Sequence, residues 1–305
     1  AAPLPTAAPL PTAAAPPTTP TKPSSPKYIT RLVQVVTRHG QRMPRYKLPN
    51  DDGFFWSRGL GPMISQDNLP GELTLHGAQQ MRSLGNELRK KYIQQLHLVH
   101  PTYQKQDLYV RSSDVDRCLM SAQHLLQGLY PTSSTSPSTA LLPPVHTVPQ
   151  SEEYLLKGYE HCHRYRDYVQ STLNSNNVRL SLIADTPLFH KMSLLTGIEV
   201  TVKNVKPITD TIIILDEFAK ELAASTTTKA LYPVRNGAGF KQQNATTLTD
   251  KDMQRIAELH DTMNYITKSS RPMSRLMVGN LLRELLNNIA QYISGTKNAG
   301  GHGVA

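Results

Sequence analysis

The spacing of apolar residues predicts short strands that alternate with longer helices. The run Arg31–Thr37 has four apolar positions and predicts a strand. The run Asp107–Val110 predicts a second, buried strand, after which a helix is expected to begin near Asp114. Ser112, Ser113 or Asp114 is available to cap that helix. This alternation indicates an α/β fold with an open sheet.

Helical spacing is clearest in two other segments. A helix is predicted from Thr74, and the residues expected to pack on the sheet are Met81, Leu84, Leu88 and Tyr92. Residues 250–266 repeat apolar side chains at the same spacing, at Met253, Ile256, Leu259, Met263 and Ile266. Two further helices are predicted over Pro207–Ala224 and Arg275–Ile293.

Residues 38–44 read RHGQRMP and place an imidazole between two guanidinium groups, directly after the first predicted strand. Ligands of open α/β sheets bind at such strand ends. Arginine donors fit the oxygens of a phosphate, and a histidine can attack phosphorus as a nucleophile. We therefore predict a phosphoryl-transfer site in which Arg38 and Arg42 stabilise charge next to His39. The alternative is a basic surface loop without a ligand.

Arg111 follows the second predicted strand and is a candidate for a third guanidinium in the same crevice. The alternative is an ordinary exposed loop arginine. Asp114, Asp116 and Arg117 have a structural interpretation as the cap and first-turn charges of the next helix.

Four motifs make the chain similar to the histidine acid phosphatases. They are RHGQRMP at 38–44, GELTLHGAQQMRSLGNELRKKY at 71–92, RSSDVDR at 111–117 and VHTVPQSEEYLL at 145–156, and the similarity covers about residues 29–295. It implies a three-layer αβα sheet domain with an inserted, mainly helical cap. It also implies that His39 accepts the phosphate as a phosphohistidine, while Arg38, Arg42 and Arg111 bind the phosphoryl group. Gln41 replaces an aspartate common in the lysosomal and prostatic enzymes, which leaves the subfamily open.

The family also uses a His-Asp pair at the end of a late strand to protonate the leaving group. This chain contains His260-Asp261, but the pair falls within the helix predicted over 250–266, and no strand precedes it. We expect His260 and Asp261 to be helix-surface residues and not the proton donor. The donor is expected beyond Ala305, so the chain as given is expected to be C-terminally incomplete and poorly active.

Composition and the resemblance together predict four regions. Residues 1–27 hold a tandem AAPLPT and many Pro, Ala and Thr residues, which predicts a disordered segment. Residues 28–130 are expected to form the first part of the α/β domain. Residues 131–269 are expected to form the helical cap insertion, and 270–305 the return to the α/β domain, truncated before its final strand.

The net charge of +10 favours anionic ligands, but the chain has no zinc-ligand spacing, basic repeat or RNA-binding signature. No nucleic acid partner is therefore expected. The longest aliphatic run, Ile212–Leu215, is far too short to span a membrane.

Two cysteines are present, at positions 118 and 162. Cys118 is expected to be a small buried residue on a helix, and the resemblance implies a disulfide partner for Cys162 in the absent C-terminal part. His161, Cys162 and His163 are adjacent and would not converge on one ion, so we expect no metal and no organic cofactor. Asn244 begins an N-glycosylation sequon, which together with the family suggests a secreted or lysosomal glycoprotein.

The sequence thus predicts an acid phosphatase that hydrolyses small-molecule or peptide phosphate monoesters, as a monomer or a homodimer. A phytase or inositol-polyphosphate phosphatase and a mutase would share the first motif. A non-catalytic, phosphate-binding fragment is the alternative from another functional class.

Overall fold

The computed structural model describes residues 29–51, 56, 70–131, 142–224 and 248–295. The predicted disordered segment 1–27 and the sequon at Asn244 lie outside these ranges. The chain divides after Arg31, and residues 32–305 form the larger compact unit. All features below belong to that larger unit.

Helices dominate the described residues. The α-helices are α1 (Leu75–Leu88), α2 (Asp116–Leu129), α3 (His163–Leu173), α4 (Asn176–Ser181), α5 (Thr186–Thr196), α6 (Val205–Ala224), α7 (Asp250–Lys268) and α8 (Arg271–Ile293). A π-helix, Arg89–Gln95, continues α1, and short 3-10 helices span Gln150–Glu152, Gly158–His161 and Ile183–Asp185. Helices α3 to α7 lie within the predicted insertion 131–269, whose boundaries stay a prediction.

The sheet in the described residues has two parallel strands, β1 (Val110–Arg111) and β2 (Val145–His146). Val110 pairs with Val145, and Arg111 pairs with His146. Helix α2 connects the two strands, as parallel pairing requires. The α/β fold class is confirmed.

The strand β1 and the helix after it both begin later in the chain than predicted. The strand lies at Val110–Arg111 and not over Asp107–Val110, because only the later residues face a parallel partner. Helix α2 begins at Asp116 and not near Asp114, and Val115 precedes it without a side-chain cap. Ser112 donates to the Ser113 carbonyl at 2.9 Å, so its hydroxyl is used inside the loop and not for capping.

The predicted strand Arg31–Thr37 was wrong: no strand is assigned to these residues. Val35 and Val36 are 50% and 63% exposed. The run is held by a side chain instead, since Gln34 donates to the Leu285 carbonyl of α8 at 3.0 Å. An apolar run favours a strand, but a strand also needs a neighbour for its backbone hydrogen bonds. No neighbour pairs with this run in the part of the chain that the structure describes.

The predicted helices were confirmed, with small shifts of the ends. Of the four residues expected to pack on the sheet, Met81 is buried, Leu84 and Leu88 are half-buried, and Tyr92 lies in the π-helix after α1, where Ile93 is buried instead.

Helix α7 begins with a capping box, in which Thr249 and Asp252 bond reciprocally, and it buries Ile256, Leu259 and Met263. These residues join α5 and α6 in the larger apolar core, which also includes Met43. The core therefore holds one end of the RHGQRMP loop. The smaller core packs Leu126 and Leu129 of α2 against the strands.

Helices α1 and α2 pack so closely that glycine is required at their contact. A Cβ atom added to Gly85 would overlap the carbonyl oxygen of Leu125, and one added to Gly128 would overlap that of Arg82. Gly279 on α8 is different, because no atom of the described residues lies within 4 Å of its added Cβ. Glycine in a helix is otherwise unfavourable. Backbone contact between α1 and α2 is therefore a specific feature of the fold.

We expect Gly85→Ala to lower the free energy of unfolding by about 1–3 kcal/mol, because the added methyl group must push the two helices apart. Gly279→Ala is the matched control and should raise it by roughly 0.5–1 kcal/mol. Urea unfolding followed by circular dichroism measures both. Equal stability of the two variants would contradict the close contact.

Candidate active site

Glycine also determines where the loop of residues 38–44, hereafter the RHG loop, contacts α1. A Cβ atom on Gly40 would overlap the backbone of Gly77, and one on Gly77 would overlap the backbone of Gln41. The Gly40 amide donates to the Ser121 hydroxyl of α2 at 3.2 Å. The loop therefore lies directly on the backbone of α1 and is bonded to α2.

Hydrogen bonds hold the loop on both sides of this contact. The Thr74 amide donates to the Gln41 carbonyl at 3.0 Å, while the Thr74 hydroxyl caps α1 by accepting from the Gly77 amide. Farther along, the Met43 amide donates to the Glu72 carbonyl at 2.8 Å. Because these are mostly backbone bonds, the loop's path is fixed independently of its charged side chains.

The ring of His39 is partly buried and oriented by the loop itself. Its Nδ1 atom lies 2.7 Å from the Gly40 carbonyl oxygen, which can only accept. Nδ1 must therefore carry the proton, and Nε2 holds the lone pair when the ring is neutral. The pKa of His39 is lowered from 6.5 to about 4, mainly by burial and in part by the charges of Arg38, Arg117 and Arg42, while the hydrogen bond to the Gly40 carbonyl opposes the shift. This ring is therefore a neutral base with a free Nε2 well below neutral pH.

Arg42 is almost completely buried, at 5% exposure, and its guanidinium bonds both carboxylate oxygens of Asp210 at 2.8 and 3.1 Å. It also donates to the Met43 carbonyl at 2.9 Å. Its Nε atom is buried and has no partner within the described residues. Arg42 thus joins the RHG loop to α6 while retaining one unused donor.

Arg111 ends β1, as expected, but its guanidinium already has an anionic partner. It bonds the Glu153 carboxylate at 2.9 Å and donates to the Ser112 carbonyl at 3.3 Å. Glu153 is only 1% exposed. Arg111 is not among the strongest electrostatic influences on His39, whereas Arg38 and Arg42 are. Its role in binding phosphate stays a prediction.

Arg117 is the residue near His39 that the motif analysis assigned only a structural role. It lies in the first turn of α2, acts on the pKa of His39, and has a buried Nε without a partner in the described ranges. The signal was present in RSSDVDR, since the first turn of a helix that follows a strand faces the same crevice. Arg38 remains exposed at the start of the loop.

His260 and Asp261 lie on α7, as predicted. Asp261 is exposed, but His260 is half-buried and not a surface residue, because α6 covers it. Its Nδ1 lies 3.1 Å from the Thr209 hydroxyl, and burial lowers its pKa. That neither residue is the proton donor stays a prediction.

Within the described ranges, no three His, Cys, Asp or Glu side chains are grouped to hold a metal ion. Cys118 and Cys162 are both unpaired, and Cys118 is half-buried, not fully buried as expected. None of the described helices combines the length and apolarity needed to cross a bilayer.

The arrangement combines positive charge with an unprotonated ring nitrogen. Arg38, Arg42 and Arg117 supply positive charge next to His39, whose Nε2 holds a lone pair when the ring is neutral. Two of the three predicted arginines, Arg38 and Arg42, therefore act on His39 together with Arg117. The third predicted arginine, Arg111, is neutralised by Glu153.

Residues 31–302 match the family model described as "Histidine phosphatase superfamily (branch 2)". The chain is 34% identical to testicular acid phosphatase from Mus musculus over 174 residues, which is 54% of this chain and 38% of that one. It is 39% identical to lysosomal acid phosphatase from Xenopus laevis over 133 residues, 42% and 28% of the two chains. It is 34% identical to prostatic acid phosphatase from Bos taurus over 174 residues, 55% and 42%. The chain thus spans less than half the length of these relatives.

Solved structures share the fold at low identity. The phytase of Klebsiella sp ASR1 has a TM-score of 0.53 at 15% identity, covering 82% of this chain and 62% of that one. The phytase of Citrobacter braakii has a TM-score of 0.51 at 13% identity, covering 81% and 63%. These similarities support the fold alone.

We expect the ring of His39 to titrate near pH 4 by nuclear magnetic resonance. Arg117→Gln should raise this pKa towards 6.5, because it removes one of the charges that oppose protonation. Arg82→Gln removes an exposed arginine of α1 and is the control. A wild-type midpoint near 6.5 would contradict the burial of this ring.

The same shift predicts how stability depends on pH. Between pH 6.5 and about 4, His39 binds a proton in the unfolded chain but not in the folded one. The free energy of unfolding should therefore decrease as the pH falls through this window, and the decrease should be smaller in His39→Gln. Urea unfolding at a series of pH values measures the difference.

Proposed function

Because this chain belongs to branch 2 of the histidine phosphatase superfamily, we propose that it hydrolyses phosphate monoesters through a phosphohistidine on His39. The observation that supports this most directly is the state of the His39 ring. Its Nδ1 is bonded to the Gly40 carbonyl at 2.7 Å, and its pKa is lowered to about 4. A nucleophilic nitrogen is thus available under acidic conditions.

The proposed reaction has two steps. His39 Nε2 attacks phosphorus, an N–P bond forms, and the ester P–O bond breaks as the leaving oxygen takes a proton from a general acid. Water then attacks the phosphohistidine, breaks the N–P bond, and releases inorganic phosphate. Arg38 and Arg42 stabilise the charge that develops on the phosphoryl oxygens. We do not assign this general acid to His260 or Asp261, because both lie within helix α7.

Arg42 supports the proposal through its unused donor. Its other nitrogens are held by Asp210 and the Met43 carbonyl, while its buried Nε has no partner in the described residues. A buried donor without a partner costs free energy, and a phosphoryl oxygen would satisfy it. Arg117 Nε is likewise buried and has no hydrogen-bond partner in the described residues. Two such donors near one nucleophile favour an anionic substrate.

The relatives also support proposals about location and substrate. The lysosomal and prostatic acid phosphatases among them favour a secreted or lysosomal protein. The family favours phosphate monoesters as substrates, and that these are small molecules or peptides stays an expectation. Acidic surroundings suit a nucleophile whose pKa is about 4, because it stays unprotonated there. We keep glycosylation at Asn244 and dimer formation as expectations.

We expect His39→Ala to abolish the burst of 4-nitrophenol from 4-nitrophenyl phosphate at pH 5, because no phosphoenzyme can form. Rapid-quench measurement of the burst is the test, and acid-labile incorporation of phosphorus-32 identifies the intermediate. His190→Ala, at an exposed position on α5, is the matched control and should retain the burst. A normal burst in His39→Ala would refute the proposal. Binding of vanadate without any turnover in the wild type would favour a phosphate-binding fragment.

We expect Arg111→Ala to reduce kcat/KM by roughly 10²–10³, the usual effect of losing one donor to the transition state. Because Glu153 would lose its cation, stability should also fall. The double variant Arg111→Ala, Glu153→Gln removes both charges and separates the two effects. If the double variant recovers both stability and kcat/KM, Arg111 has only a structural role.

A further inference from the structure

We propose that Gln41 is a positioning residue of the candidate site, because its side chain attaches the RHG loop to the C-terminal half of α6 through Glu221. We call this contact the Gln41–Glu221 link. The link itself does not depend on the proposed function, whereas its effect on the reaction does. Its expected role is to restrict the movement of α6 beside His39, and so to keep the site able to bind substrate.

Both polar atoms of the Gln41 side chain have a partner. The amide nitrogen donates to Glu221 Oε1 at 2.6 Å, and the amide oxygen accepts from the Thr74 hydroxyl at 2.9 Å. That hydroxyl in turn accepts from the Gly77 amide at 3.0 Å, so its own proton is available for Gln41. A carboxylate only accepts hydrogen bonds, which places the amide nitrogen on the side of Glu221. The side chain therefore connects the start of α1 with α6 in one orientation.

The backbone of Gln41 is held independently of its side chain. Its amide donates to Gln80 Oε1 at 2.9 Å, and its carbonyl accepts from the Thr74 amide at 3.0 Å. The backbone of Gly77 also lies directly against it. Changing the side chain of Gln41 should therefore leave the path of the loop, and with it the position of His39, unchanged.

The link is one of two polar contacts, within the described residues, that join neighbouring loop residues to α6. Arg42 bonds Asp210, and Gln41 bonds Glu221. Asp210 and Glu221 are 11 positions apart in the sequence. This spacing is about three helical turns, or roughly 16 Å, so the two carboxylates lie on the same face of α6. A helix held at one such point can rotate about it, whereas contacts at both points oppose the rotation.

The part of α6 between these two contacts also lies along the loop. Glu217 is on the same face, seven positions after Asp210 and four before Glu221. The pKa of Glu217 is raised by burial and by the charges of Glu221 and Asp216, while Arg38 at the start of the loop opposes the rise. A loosened link would therefore affect the side of the site where Arg38 lies.

Glutamine suits position 41 because a carboxylate there could not form the link. It would accept from Thr74 but would repel Glu221, since neither carboxylate can donate. His76 of α1 does not replace the missing donor, because its Nε2 is 3.9 Å from Glu221 Oε1, too far for a hydrogen bond. The glutamine that replaces the family's common aspartate is thus matched to the carboxylate on α6.

Hydrogen–deuterium exchange tests the link without any turnover. Gln41→Met keeps the length of the side chain and removes both polar atoms. We expect the amides of residues 217–221 to exchange about threefold to tenfold faster in this variant, the effect of losing one hydrogen bond. Gln123→Met makes the same substitution at an exposed position of α2 and should leave this exchange unchanged. Equal exchange in Gln41→Met and the wild type would overturn the inference.

Exchanging the two side chains tests whether the contact, and not glutamine alone, is responsible. Gln41→Glu places two carboxylates against each other and should speed exchange at least as much as Gln41→Met. The double variant Gln41→Glu, Glu221→Gln keeps both lengths and reverses donor and acceptor. Its exchange should return to within about twofold of the wild type. Exchange that stays as fast as in Gln41→Glu alone would count against the link.

The proposed function adds a kinetic readout. If α6 moves, only a fraction of the molecules can bind substrate, which raises the apparent KM by that fraction and leaves the bound complex unchanged. We therefore expect Gln41→Met to raise KM for 4-nitrophenyl phosphate by about threefold to tenfold, with kcat within about twofold of the wild type. A fall in kcat at unchanged KM would contradict a role in holding α6. Urea unfolding establishes that each variant is folded.

The two proposals fail in distinguishable ways. A wild-type chain that releases no 4-nitrophenol would refute the hydrolase, and the same comparison would then use the dissociation constant of 4-nitrophenyl phosphate, measured by calorimetry. A weaker affinity in Gln41→Met would still support the link. Normal turnover with unchanged exchange and unchanged KM in Gln41→Met would retain the hydrolase and overturn the role of Gln41.

Discussion

The contact between the backbones of Gly40 and Gly77 determines where the candidate site can be. The RHG loop lies against α1 at a distance that excludes any side chain at either glycine. The same approach brings the Gly40 amide to Ser121 on α2. Helices α1 and α2 are in turn held together through Gly85 and Gly128. His39 is therefore positioned by three backbone segments in direct contact, and small changes in any of them would move its ring.

This rigidity matters because the site concentrates positive charge. Arg38, Arg42 and Arg117 carry like charges that repel one another, and a loop free to relax would let them move apart. All three charges contribute to the lowered pKa of His39. Within the described residues, only Arg42 of these three has a carboxylate partner. Backbone hydrogen bonds, which do not depend on charge, keep the loop in place. Backbone bonds therefore hold the loop on α1, while the Arg42–Asp210 ion pair joins it to α6.

Sequence patterns predicted the parts of the structure that are encoded locally. The Thr249–Asp252 capping box and the buried residues of α7 are separated by a few helical turns, so their spacing was sufficient. The motif RHGQRMP likewise identified the loop that carries His39 and Arg42, which packs on α1. Contacts between distant residues were not predicted, because no local pattern encodes them. Asp210 bonds Arg42 across 168 positions, and Glu153 bonds Arg111 across 42. The strand predicted at Arg31–Thr37 was wrong for the same reason, since pairing needs a distant partner.

Asp210 explains how the helical insertion can take part in the chemistry of the loop. Its carboxylate bonds Arg42, which is 5% exposed, while it also opposes the lowered pKa of Lys206 on the same helix. Removing one partner of a buried ion pair typically costs about 3–5 kcal/mol, so α6 and the RHG loop are strongly coupled. Because Lys206 lies one turn before Asp210 on the same helix, any shift of α6 moves both the ion pair and this lysine. This connection makes α6 an integral wall of the site, and not only a cover over it.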